Sequence, residues 1–240
     1  MYDLDFAAAH RSFADWERVH SDDPMGAVSD AAAWLFSELD RLRVLQSEFF
    51  TEDDEFVRRE HGLAPDAAAQ RAFEAALQRG QRKASAVLAR SPQDENALMA
   101  TVLIHGLRSD YLSMIQKRNL PALTETKLAR KTAQQLLALH PACYDAYVAI
   151  GIENYLLSLK PLPLRWLLRL GGAETNKQAG IERLRLTAEK GRYLLPFARL
   201  LLAVAALRDA NVEAARGQLS WLAAQFPHNT LYREELRKLD

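Results

Sequence analysis

The placement of nine prolines constrains this chain more than any other feature of its sequence. Each proline falls between blocks rich in alanine, leucine, arginine and glutamate, and proline is tolerated at helix ends but not in helix interiors. Within a block such as residues 68–90, apolar side chains recur at steps of three and four residues, the period of an amphipathic helix. Asn-Gly and Asp-Gly turns are missing, and β-branched residues do not cluster as strands require. The sequence therefore predicts an all-α fold.

The same signals divide the chain into ten predicted helices within a single domain spanning residues 1–240. The predicted helices cover residues 3–20, 24–48, 65–90, 94–118, 122–139, 143–159, 174–190, 195–208, 212–226 and 229–239. Two long interruptions separate them, a polar connection at residues 51–65 and the stretch 160–173. In the first interruption, Thr51 followed by Asp54 is typical of a helix capping box.

Charge is unevenly distributed, although the formal net charge of the chain is +0. Residues 1–60 carry a net charge of −9, and residues 61–240 carry +9. Overall neutrality gives no electrostatic case for binding nucleic acid. The asymmetry is typical of oppositely charged solvated helix faces, and it also fits head-to-tail contact between copies of the chain, so a homo-oligomer is one prediction.

Targeting and redox signals are sparse. No stretch of about 18 uninterrupted apolar residues exists, so no transmembrane segment is predicted. The first residues lack the basic and apolar regions of a secretory leader. The single cysteine, Cys143, excludes an internal disulfide framework and a multi-cysteine zinc site. The compartment stays open between cytoplasm and cell envelope.

Four predicted helix ends share one pattern, in which an apolar helix closes and a new helix begins after a short turn. They are WERVHSDDP (16–24), VLARSPQDENA (87–97), LLALHPACYDA (136–146) and LAAQFPHN (222–229). Proline ends one helix there, and a polar residue such as Asp94 begins the next. The pattern indicates repeated helix pairs, each burying one face on its neighbour.

Residues 196–229 resemble one complete tetratricopeptide repeat, a unit with a period of 34 residues. Leu202 stands where the first helix favours leucine, and Pro227 is the closing proline. The small and apolar positions of the second helix are held by Ala215, Leu219 and Leu222. Residues 144–155 resemble another first helix, in which Gly151 would let a neighbouring helix approach closely.

The chain as a whole is similar to divergent bacterial tetratricopeptide proteins that carry an N-Y, P-L, GG and EKGRY series. Here these elements are Asn154-Tyr155, Pro161 to Leu164, Gly171-Gly172 and residues 188–194. The resemblance implies an α-solenoid of antiparallel helix pairs wound into a right-handed superhelix. Residues 5–24 resemble a second helix without its partner, which indicates a fragment or a mature protein whose upstream part was removed.

The resemblance also implies a concave binding groove lined by the first helix of each pair. The corresponding positions are Asn96, Met99, Leu103, Asp145, Val148, Ile152, Tyr155, Phe197, Leu200, Val204 and Arg208. Most are apolar, and the lysines and arginines that grip a peptide carboxylate are scarce. Such a face either binds an apolar ligand or partner or is filled by the protein itself.

Catalytic and metal-binding patterns are missing from the sequence. The six histidines show no H-x-x-x-H spacing, and no nucleophile elbow, P-loop or dinucleotide fingerprint is present. His20 and His140 stand at predicted helix C-termini, where an imidazole suits the helix dipole. Cys143 lies near His140 without a third orienting residue, so a buried structural thiol is expected. We expect neither an enzyme nor a metal or cofactor.

The stretch KPLPLRWLLRLGG, residues 160–172, is predicted to be an amphipathic insert within one helix pair. Arg165 and Arg169 share one helical face, whereas Leu164 and Trp166 belong to an apolar run. It fits a short helix docked on the repeats better than a lipid-binding segment.

Two function classes follow from the sequence. The first is a non-catalytic scaffold that binds a protein or peptide in the concave groove. The alternative is a small-molecule or lipid carrier, with the apolar groove as its pocket and residues 160–172 as a lid.

Overall fold

The computed structural model describes residues 1–45, 63–158 and 176–240. Within these ranges the chain contains ten α-helices and no strand, which confirms the all-α prediction. The helices are α1 (Phe6–Val19), α2 (Pro24–Arg41), α3 (Ala67–Arg90), α4 (Glu95–Asp110), α5 (Asn119–Leu139), α6 (Tyr147–Ser158), α7 (Lys177–Lys190), α8 (Leu195–Arg208), α9 (Val212–Gln225) and α10 (Thr230–Arg237). A π-helical turn, Tyr111–Ile115, extends α4, and a 3-10 turn, Tyr144–Ala146, precedes α6.

Short polar side chains explain where many of these helices begin. In each case the N-cap carboxylate or amide oxygen accepts a hydrogen bond from a backbone N–H of the first turn, a group that has no partner within the helix. These N-caps are Asp5, Asp23, Asp66, Asp94, Asn176, Asn211 and Asn229. Local sequence therefore sets most of the helix starts.

The four matched helix ends adopt one conformation. Their C-cap residues are His20, Ser91, His140 and Phe226, with φ between −120° and −139° and ψ between 68° and 82°. In every case the N–H three residues later donates to the C-cap carbonyl, at 3.0–3.2 Å. The turn pattern inferred from the sequence is thus a real structural repeat.

Three helix predictions need correction. The helix predicted over 24–48 ends at Arg41, where Leu42 and Arg43 turn the chain and Arg43 has a φ of 56°. The helix predicted over 94–118 is α4 followed by the π-helical turn, and residues 116–118 are not helical. The segment predicted over 143–159 starts as a 3-10 turn. The proposed Thr51–Asp54 capping box and the insert at 160–172 lie outside the described residues.

Packing follows the order of the chain. Each helix contacts the next one, from α1 on α2 to α9 on α10, and α2 also contacts α4. Four apolar clusters form the core, and each joins three consecutive helices: α2–α4, α4–α6, α6–α8 and α8–α10. Such an arrangement buries each helix pair on its neighbours instead of around one centre. Across the described segments, no helix is long and apolar enough to cross a membrane.

Two glycines set the contact between α6 and α7. A Cβ at Gly180 would lie 2.9 Å from the backbone N of Tyr155 and 3.0 Å from the carbonyl O of Gly151. A Cβ at Gly151 would in turn lie 3.1 Å from the carbonyl O of Gly180. The close helix approach predicted at Gly151 is therefore present, with Gly180 as its partner.

The N-terminal segment, residues 1–5, contacts the other end of the chain. The ring of Tyr2 packs on Phe226 with centroids 5.5 Å apart, and its hydroxyl donates to the carbonyl of Tyr193. The side chain of Asn229 donates to the carbonyl of Tyr2 at 2.9 Å. The N-terminal segment thus packs against the turns that precede α8 and α10.

Candidate ligand cavity

A cavity of about 410 Å³ lies among the helices. Most of its lining residues belong to α2, α4 and α6. The others come from the N-terminal segment, α1, α5, the 3-10 turn, the turn before α8 and α8 itself. The lining is mainly apolar. Its apolar side chains include Met25, Val28, Phe36, Val102, Leu103, Leu107, Val148, Ile152 and Phe197.

A second, smaller cavity of about 50 Å³ lies between the N-terminal segment and α8 to α10. Met1, Tyr2, Phe36 and Phe197 line both cavities, so these side chains stand between them. The rings of Phe36 and Phe197 meet edge to face with centroids 6.1 Å apart. Aromatic contact between α2 and α8 therefore closes the large cavity on this side.

The structure divides the predicted groove residues into three groups. Five of them line the large cavity: Leu103, Asp145, Val148, Ile152 and Phe197. Leu200 and Val204 line the small cavity. The other four, Asn96, Met99, Tyr155 and Arg208, do not line either cavity.

The four remaining residues have other surroundings. Met99 and Tyr155 are buried, at 3% and 5% exposure, and Met99 packs in the cluster between α4 and α6. Asn96 donates its side-chain amide to the carboxylate of Asp23 at 2.8 Å, which ties α4 to the start of α2. Arg208 lies in the last turn of α8. The insert residues Leu164, Arg165, Trp166 and Arg169 lie outside the described ranges.

Asp145 has a structural task at the cavity wall. Its buried carboxylate accepts hydrogen bonds from the backbone N–H groups of Arg192, Tyr193 and Leu194 at 2.8–3.2 Å. Leu194, the N-cap of α8, offers no side-chain cap of its own. Asp145 therefore satisfies, from a distant part of the chain, the N–H groups of the turn that leads into α8.

Asp110 is a charged cavity residue that the groove prediction does not include. It ends α4, lines the large cavity and directly precedes the π-helical turn. Burial raises the pKa of its carboxyl group to about 7. A signal was present, since the predicted groove positions Met99 and Leu103 continue at helical spacing to Gly106 and Asp110 on the same face.

Hydroxyl groups lie beside Asp110 in the lining. The Ser109 hydroxyl is hydrogen-bonded to the carbonyl of Ala122 at 3.0 Å and to the Thr126 hydroxyl at 2.8 Å. Both side chains line the cavity, as does Ser29. Three polar residues of the lining, Ser109, Asp110 and Thr126, thus belong to α4 and α5.

Two histidines are paired with carboxylates outside the cavity lining. His10 contacts Asp30 at 2.6 Å, and His105 contacts Glu125 at 2.6 Å. His20 and His140 are C-caps, as predicted. Among the residues that the structure describes, no group of three potential metal ligands occurs. Cys143 is buried, and burial raises the pKa of its thiol to about 12.

Part of the N-terminal acidic charge is paired within the chain. Arg79 of α3 contacts Asp30 at 2.9 Å and Glu17 at 3.4 Å, and Lys83 contacts Glu17 at 3.0 Å. These pairs join α1 and α2 to α3. A homo-oligomer held by the remaining opposite charges stays a prediction.

Comparison with protein-family models, curated proteins and solved structures finds no match for this chain.

Proposed function

We propose that this chain is a tetratricopeptide-like α-solenoid whose inner face encloses a ligand site. Two observations support the repeat architecture. One turn geometry recurs at His20, Ser91, His140 and Phe226, each time between the second helix of one pair and the first helix of the next. The first helices α2, α4 and α6 supply most of the cavity lining, as the inner face of such a superhelix would.

The function that the geometry supports best is the binding of a small, mainly apolar molecule. The observation that carries it is the cavity of about 410 Å³, because small-molecule sites are mostly apolar concavities of about 300–1,000 Å³ with a few polar groups. We assign no catalytic step to the site, since the Ser109 hydroxyl is hydrogen-bonded to Ala122 and Thr126 and not to a base.

The peptide-binding scaffold predicted from the sequence is the second candidate. It requires an inner face open to an extended chain. Here Met1 and Tyr2 line the cavity, and Phe36 meets Phe197 at the side that faces the small cavity. We therefore place the small-molecule function first.

Gly106 provides a direct test of the proposal. It lies in α4, lines the large cavity, and an added Cβ there would meet no atom within 4 Å. Gly106→Leu therefore projects a side chain into the cavity while leaving the helix packing intact. Gly217→Leu is the matched control, because Gly217 is an exposed glycine of α9 whose Cβ position is equally free.

The probe is 1-naphthylmethanol, a neutral aromatic alcohol, titrated by isothermal calorimetry. We expect the wild-type protein and Gly217→Leu to bind it with similar affinity and Gly106→Leu to bind at least tenfold more weakly. Absence of binding to wild type, or equal binding by both variants, contradicts a small-molecule site in this cavity.

A further inference from the structure

Asp110 stands apart from the other charged groups of the large cavity. Within the described residues, its carboxylate takes part in no hydrogen bond or ion pair. The Asp145 carboxylate, by contrast, is surrounded by three backbone N–H groups. The guanidinium of Arg192 lies over the ring of Tyr193, with its carbon 5.1 Å from the ring centroid. Asp110 is thus the charged group of this lining whose carboxylate can pair with a ligand.

A carboxylate in apolar surroundings is costly unless it is paired. The same lining includes Leu107, Ala129 and Val102, whose side chains carry no hydrogen-bond donor. Its position at the junction between α4 and the π-helical turn strengthens the case, because π-helical turns are rare and occur frequently at functional sites. The cavity therefore combines a large apolar volume with one uncompensated acid.

We propose that the ligand of this cavity is an apolar molecule that carries a protonated amine, and that Asp110 binds this amine. The inference rests on the proposed small-molecule function and adds the chemical class of the ligand. An ammonium group has three donors and no acceptor, so it complements a carboxylate. The Ser109 and Thr126 hydroxyls in the same lining provide further acceptors for it.

The electrostatics of the site agree with this assignment. Burial disfavours the ionised form of Asp110 and raises its pKa to about 7, so ionisation is incomplete near neutral pH. An ammonium in contact with the carboxylate reverses this balance, because an opposite charge favours the ionised form. An anionic ligand gains nothing at this position and meets repulsion from the ionised acid.

The experiment compares three probes with one ring system: 1-naphthylmethylamine, 1-naphthylmethanol and 1-naphthoate. Affinities are measured by isothermal calorimetry at pH 8, where the amine is protonated and Asp110 is mainly ionised. We expect the wild-type protein to bind the amine at least tenfold more tightly than the alcohol, and the carboxylate least tightly. Asp110→Asn, which keeps the shape of the side chain, should bind the amine and the alcohol equally.

Asp22→Asn serves as the control for loss of a carboxylate, because Asp22 is 82% exposed and lies outside the cavity lining. It should retain the amine preference of the wild type. Thermal melting of both variants checks that they are folded. If the alcohol binds wild type as tightly as the amine, the amine assignment is overturned while the small-molecule function stands. If neither probe binds wild type, both proposals fail.

Discussion

The carboxylate of Asp3 binds His228 across 225 positions of sequence. Its Oδ1 accepts from the backbone N–H of His228 at 2.9 Å, and its Oδ2 lies 2.6 Å from the ring Nδ1. This pair fastens the N-terminal segment to the turn between α9 and α10. Because Met1 and Tyr2 line the large cavity, the pair also holds part of the cavity wall in place.

We expect Asp3→Asn to destabilise the protein at pH 7 but not at low pH. The hydrogen bond from the His228 side chain lowers the pKa of Asp3 below its unfolded value of 3.8. Stability from this group is therefore present above the unfolded pKa and lost as the pH falls through the lower, folded pKa. Urea unfolding of both proteins from pH 7 down to pH 3 measures the difference. Asp15→Asn, at an exposed carboxylate, is the control; an equal loss at both pH values contradicts the prediction.

Asp145→Ala is expected to lower the free energy of unfolding by about 3 kcal/mol. The substitution leaves the N–H groups of Arg192, Tyr193 and Leu194 without their acceptor at the start of α8. Asp145→Asn retains one oxygen acceptor and should cost less. Chemical denaturation measures both values. Asp15→Ala, at a side chain that is 73% exposed, should change stability by less than about 0.5 kcal/mol. If Asp145→Ala lowers the free energy of unfolding no more than Asp15→Ala does, Asp145 does not have this role at the start of α8.

Gly180→Ala should destabilise the protein by about 2 kcal/mol, the usual cost of overpacking. The new methyl group would lie 2.9 Å from a backbone nitrogen of α6, and backbone atoms cannot move aside cheaply. Gly217→Ala has free space and should instead stabilise α9 by about 0.5–1 kcal/mol, because alanine has the higher helix propensity. Thermal unfolding of the two variants should shift in opposite directions. Shifts of the same sign would mean that the α6–α7 contact is looser than described.

The pH dependence of stability should change in Asp110→Asn. The folded pKa of Asp110 is about 7, above the ordinary value of 3.8, so the folded state binds more protons between these values. Wild-type stability therefore falls as the pH rises from about 4 to 7, by up to about 4 kcal/mol. Asparagine does not titrate and should remove this slope, making the variant the more stable protein at pH 7.5. If urea unfolding shows that the free energies of unfolding of wild type and Asp110→Asn change with pH in parallel, Asp110 is well solvated and the prediction is wrong.

Much of the fold could be predicted because its signals are local. Asp23, Asp94 and Asn229 begin helices by bonding to their own first turn, and prolines mark the preceding ends. The structure departs from the predicted helices where contacts between residues far apart in the sequence determine the backbone conformation. The π-helical turn after Asp110 leaves no periodic mark in the sequence, because it changes the hydrogen-bonding register without interrupting the apolar spacing.

The site was predictable only in part. Helical spacing identifies one face of a helix, and it predicts Leu103, Val148 and Ile152, which line the large cavity. Spacing does not reveal depth, so Met99 and Tyr155 were placed in the groove although they are buried in packing contacts. The task of Asp145 depends on backbone groups 47–49 residues away, which no local pattern records.

The contact between the N-terminal segment and α10 has a consequence for folding. Neighbouring helices can assemble early, because contacts between elements close in sequence require little loop closure. The large cavity needs Met1, Phe36 and Phe197 together, so its wall is complete only after nearly the whole chain has assembled. A molecule that fits the cavity therefore recognises only the finished protein and stabilises it by mass action, leaving partly folded chains unaffected. The amount of bound ligand would therefore report the fraction of chains that have folded completely.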